Sequence, residues 1–117
     1  MEQIRFSRAG GPVTVQFTIV GTVAWRYSYQ TDGPVFVRKS SQGAPPSHAL
    51  GTPADLDFDL NTWSVQFASV DDKQHDYRVT ADWQQDGRKI HSWTCSGGVQ
   101  GNVPQVEQEN AFLMATP

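Results

Sequence analysis

Three aspartates at alternate positions, Asp55, Asp57 and Asp59, form the densest set of hard oxygen ligands in the chain. Calcium takes such oxygens at about 2.3 to 2.6 Å. On an extended strand the three carboxylates project from one face about 6.6 Å apart, given a rise of about 3.3 Å per residue. One ion cannot collect them unless the backbone folds back near Pro53-Ala54. Without that fold they form a solvated strand face, which also discourages edge pairing. They support one alternative function, a calcium-dependent binding sandwich of lectin-like or C2-like kind, and no metal ligand is assigned. His48, His75 and His91 are dispersed, and no His-x-x-x-His, Cys-x-x-Cys or Glu-x-x-His spacing brings two zinc ligands together. His91 and Cys95 share a strand face about 13 Å apart by the same rise. A thiol activated by a base needs a direct hydrogen bond, so this pair makes no nucleophile. The expectation is a protein without catalytic residues and without a cofactor.

The remaining chemistry is that of contact surfaces, and the hairpin that presents it is written in the chain. Two alternating segments flank Asp86-Gly87, a preferred two-residue type I′ turn. Closure there sets Trp83 opposite Ile90, Ala81 opposite Ser92 and Val79 opposite Thr94 on the apolar side. The polar side pairs Asp82 with His91 and Thr80 with Trp93. Trp93 then lies between Lys89 and His91 on a polar sheet face, where an aromatic ring serves carbohydrate or protein contact. The alternative is a ring covered by the 40–53 loop or by the carboxyl-terminal segment. Trp25, Trp63 and Trp83 are in register with apolar neighbours and are assigned to the core.

Alternation continues along most of the chain. Val13, Val15, Phe17 and Ile19 oppose Thr14, Gln16 and Thr18, and the same parity resumes in Val23, Trp25, Tyr27 and Tyr29 after Gly21-Thr22. The combined run is too long for one strand, so a bend or tight connection is placed at Gly21. Residues 3–7 and 35–39 read as edge strands, and residues 40–53, rich in Ser, Gly, Pro and Ala, as a long surface loop. Leu56, Phe58 and Leu60 alternate with the aspartates, and Trp63, Val65 and Phe67 continue that strand pattern. Residues 105–114 admit a helix, but a strand is preferred, with Ala111 to Ala115 closing the sheet. About seven or eight such strands make an all-β, antiparallel sandwich or small barrel in a single domain spanning residues 1–117.

Composition narrows the partners. The 117 residues are 38% hydrophobic and 18% charged, with nine Lys and Arg against twelve Asp and Glu. That apolar content supports a packed core, and the net charge of −3 without a basic run disfavours nucleic acid. No run approaches the roughly 20 apolar residues of a membrane-spanning helix, so membrane insertion is not expected. The single cysteine, Cys95, forbids an internal disulfide. With no signal-like segment at the amino terminus, the reading leans towards a cytoplasmic or particle-associated protein.

The stretch Val13-Thr-Val-Gln-Phe-Thr-Ile-Val-Gly-Thr-Val-Ala-Trp25, with Tyr27, Tyr29 and the Asp32-Gly33 turn, resembles strands B and C of bacterial immunoglobulin-like domains. Asp76-Tyr77-Arg78-Val79 is similar to the opening of an immunoglobulin F strand. The antibody cysteine pair is absent, with Val15 or Phe17 and Val79 in its places. The resemblance implies an immunoglobulin-like β-sandwich with adhesion, recognition or assembly roles and no catalysis. Its strand order also implies that Arg26 and Ser28 extend the polar face of Arg78, Thr80, Asp82, Lys89, His91 and Trp93. The expected function is a non-catalytic module that recognises a protein or a glycan there, or joins copies of itself.

Overall fold

A computed structural model describes residues 2–32, 36–40 and 47–117. The alternating segments become strands: β1 Glu2–Ser7, β2 Val13–Val20, β3 Val23–Thr31, β4 Phe36–Ser40, β5 Ser47–Gly51, β6 Asp59–Ser69, β7 His75–Gln85, β8 Arg88–Val99 and β9 Gln105–Thr116. They form two sheets, ordered β1-β9-β6-β3-β4 and β5-β2-β7-β8. The protein is therefore an all-β, two-sheet sandwich. Its ladders are antiparallel except for β1 on β9, which run parallel.

The inner faces follow the predicted parity over most of the chain. Val13, Val15 and Phe17 of β2 and Trp25, Tyr27 and Tyr29 of β3 are buried against Trp63, Val65 and Phe67 of β6 and Val79, Ala81 and Trp83 of β7. Gly21-Thr22 separates β2 from β3, and those strands belong to different sheets. One tight connection thus carries the chain across the sandwich. Within the core, Trp83 Nε1 donates to Tyr29 Oη at 3.1 Å, and Tyr29 Oη donates to Asn61 Oδ1 at 2.5 Å. Burial pushes the Tyr29 phenol well above its ordinary pKa, so it stays neutral in this chain of hydrogen bonds.

The Asp86-Gly87 turn closes where expected, with Asp86 and Gly87 both at positive φ and Gln85 opposite Arg88. The ladder above it is not unbroken. A β-bulge lies between Trp83 and Gln84, where Gln84 pairs with Lys89 and Trp83 pairs with His91, leaving Ile90 as the extra residue on β8. From there to Val99 the register moves by one, and each side chain changes face relative to the expectation. Ala81 lies opposite Trp93, Val79 opposite Cys95, Asp82 opposite Ser92 and Thr80 opposite Thr94.

Three other expectations change. The loop assigned to residues 40–53 contains β5, which pairs antiparallel with β2, while residues 41–46 lie outside the described residues. The aspartate segment is not a strand: Pro53–Leu56 is one helical turn, α1, and Phe58 turns the backbone at φ 64°. That turn inverts the parity, so Asp59 and Asn61 face inward and Phe58 is 67% exposed. The segment compared with an immunoglobulin F strand, β7, lies beside β2 and β8, and β6 occupies the place next to β3.

Gln85 locks the hairpin to the amino-terminal turn. Its Oε1 accepts from Ser7 N at 2.8 Å, and its Nε2 donates to Ser7 O at 2.9 Å and Gly11 O at 3.0 Å. Asp86 Oδ1 accepts from Gly11 N at 3.1 Å. Gln85→Ala strands these backbone groups and is expected to lower the unfolding free energy by about 1 to 3 kcal/mol. Urea titration measures it; an unchanged midpoint would mean that water replaces the amide without loss.

Candidate binding face and edge clefts

The outer face of the four-stranded sheet gathers four of the eight residues expected on the polar surface, Arg78, Thr80, Asp82 and Lys89. Arg78 is exposed on β7 beside Val20 of β2. Asp82 accepts from Ser92 Oγ at 2.8 Å, and Lys89 Nζ lies 4.0 Å from its carboxylate. Between them, Thr80 and Thr94 bring their hydroxyls to 3.4 Å. Ser92, Thr94 and Ser96 make an exposed hydroxyl row along β8. The row exists because the bulge sends the even-numbered residues of β8 outward.

The other four residues are elsewhere. Trp93 is 8% exposed and packs edge-on against Trp63 at 5.6 Å between ring centroids. His91 also turns inward, lying 5.4 Å from the Trp83 ring and 3.4 Å from Glu2 Oε2 of β1, so it forms no pair with Asp82. Both displacements follow from the bulge at Ile90. Arg26 is on the outer face of the opposite sheet, because β3 pairs with β6 and β4. There it borders a separate depression with Ser28, Ser64 and Gln66. The expected patch is therefore divided among two outer faces and the interior.

The aspartates do not converge either. Asp55 Oδ2 accepts from Thr52 Oγ1 at 2.9 Å, Asp57 Oδ1 from Ala115 N at 2.9 Å, and Asp59 Oδ1 from Asp32 N at 3.0 Å. Each carboxylate ties down a different segment. Among the described residues no group of three His, Cys, Asp or Glu is placed to hold a metal ion.

Two clefts that the alternation pattern did not reveal open at the far end of β7 and β8. One, of 490 Å³, is lined by Gln74, Asp76, Gly98, Gln100, Val103 and Gln105 over Val99. The second, of 520 Å³, lies between Val20, Arg78, Ser96 and Gly97. Asp76 borders both. Gly97 and Gly98 are the sequence signal for them, and both lie within β8, although a Gly-Gly pair also marks a strand end. Gly97 must be small, since a Cβ there would come within 2.5 Å of Tyr77 Oη. The space lets Tyr77 stack on Phe67 at 3.8 Å and donate to Glu107 Oε2 at 3.2 Å. Burial, reinforced by the Glu107 carboxylate, pushes the Tyr77 phenol up to about 12.

Cys95 lies on the same inner rim. Burial raises its thiol pKa first, and Glu107, Glu109 and Glu2 raise it further. These surroundings keep the sulfur protonated, the opposite of what a nucleophile needs. Fold and surface together define a two-sheet β-sandwich with a hydroxyl-rich outer face ending in paired clefts. Comparison with protein-family models, curated proteins and solved structures gives no match. No helix among the described residues is long and apolar enough to cross a membrane.

Proposed function

We propose that the protein is a non-catalytic binding or assembly module that takes a protein partner on the outer face of β2, β7 and β8. The observation carrying this reading is the open polar surface around Arg78, Thr80 and Thr94, continuous with the clefts at Asp76. The immunoglobulin-like resemblance of β2 and β3 supports recognition over catalysis, as does a thiol held in its protonated form. The inward turn of Trp93 removes from this face the aromatic platform on which a sugar ring would stack. A protein partner is therefore favoured over a glycan.

Arg78 supplies forked donors to a partner carboxylate or carbonyl, and Thr18, one strand away, supports the same area. The test is crosslinked co-purification from the native source with wild type and an Arg78→Glu, Thr18→Lys variant. At least a tenfold loss of one captured protein is expected, a change worth about 1.4 kcal/mol, with the unfolding midpoint held. Retention of every captured protein by the variant would reject this face. Saturable binding on a glycan array that the variant loses would replace the protein partner by a sugar.

A further inference from the structure

We propose that two copies of this chain pair edge to edge through β8, antiparallel, joining their four-stranded sheets into one. The inference goes beyond the function above, since it uses the free edge of β8 and not the outer face.

β8 ends its sheet, and no described strand pairs with its other side. From Ile90 to Val99 it carries no proline and no Asp, Glu, Lys or Arg. Natural edges are blunted by charge, proline, bulges or shortness. The other three edges follow that rule: β1 contains Glu2 and Arg5, β4 contains Arg38 and Lys39, and β5 has five residues. The β8 bulge lies at its beginning, so the long remainder stays regular and open to pairing.

Charge complementarity selects a second copy and sets its register. β8 begins with Arg88-Lys89 and ends beside Asp76, the residue opposite Gly98 on β7. A two-fold axis at Thr94 pairs Ser92 with Ser96 of the second copy. Because Ile90 is the bulged residue, Lys89 occupies the ladder position before His91 and comes opposite Gly98 of the second copy. Asp76 lies one strand further, so about two strand spacings of 4.8 Å separate the Lys89 and Asp76 backbones. Only a glycine stands between them. The Asp76 carboxylate already leans over that glycine, with Oδ1 at 3.2 Å from where a Gly98 Cβ would be. Asp76 has no ion-pair partner among the described residues, and the present Lys89 partner, Asp82, is loose at 4.0 Å. Pairing places Lys89 over Gly98 in reach of Asp76, twice per dimer.

Sedimentation equilibrium on the full chain, from micromolar to millimolar, is the test. The wild type is expected to move from monomer to dimer, and Lys89→Asp and Asp76→Lys each to weaken the dimer about tenfold or more. The double variant Lys89→Asp, Asp76→Lys is expected to restore it, since two-fold symmetry re-forms both pairs with the charges exchanged. At concentrations where all four proteins are monomeric they should share one unfolding midpoint, as both residues are exposed. A wild type that stays monomeric at every concentration, or a double variant no better than the singles, overturns the proposal. Either result leaves capture of a foreign protein, tested through Arg78 and Thr18, standing or falling separately.

Discussion

Replacing Trp93 by alanine is expected to lower the unfolding free energy by about 3 to 5 kcal/mol, the range for deleting a large aromatic side chain from a core. The ring is buried, and it closes a series of indoles in which Trp93 meets Trp63 edge-on and Trp63 meets Trp83 at 4.9 Å. Alanine removes the first member and leaves a cavity where the sheets are fastened. The neighbours on either side face solvent, so Ser92→Ala and Thr94→Ala should stay within about 0.5 kcal/mol of the wild type. Denaturant unfolding of the three variants reads the face of β8 residue by residue. A midpoint unmoved by Trp93→Ala, with losses at Ser92 or Thr94, would reinstate the unbroken hairpin in which the tryptophan is exposed.

The same residues show how much the chain discloses before it is folded. The Asp86-Gly87 turn is legible because few dipeptides accept two successive positive φ values, and both residues adopt them. Strand parity is equally legible where one set of positions is apolar and the other polar, as in Val13 to Phe17. Ile90 to Thr94 offers large apolar groups on both parities, so local alternation cannot say whether a bulge intervenes. A clue lies further along, where Trp93, Cys95 and Val99 share one parity and only small or polar residues share the other. Weighed over the whole strand, burial of that set outweighs the cost of one unpaired residue at Ile90. The aspartate segment was opaque for another reason: Phe58 at positive φ is rare for a bulky side chain, and no local pattern announces it. What positions it is distant, the 2.8 Å bond from its N–H to Leu113 O on β9. The clefts were hidden because a Gly-Gly pair signals a break as readily as an open strand.

The β2–β3 connection should be the least tolerant point in the backbone. Gly21 has φ 138°, which L side chains rarely adopt, and a Cβ there would lie 2.5 Å from the Asp76 carbonyl oxygen and 3.1 Å from Tyr77 Cα. Both are backbone atoms of β7, held in its ladder with β8, so no side-chain rotation relieves the contact. Gly21→Ala therefore combines conformational strain of about 1 to 3 kcal/mol with displacement of a central strand. A total loss above about 3 kcal/mol is expected, with low soluble yield. Gly87→Ala separates the two causes: φ there is 75° and nothing lies within 4 Å of the added carbon. It should cost only the strain, about 1 kcal/mol. Comparing the two variants by thermal unfolding isolates the close approach of the crossing to β7. Equal losses would mean that the crossing can move away from Asp76 and Tyr77. A larger loss at Gly21 would tie the clefts to the fold itself, since the contact that excludes a side chain at Gly21 also holds Asp76 at their shared wall.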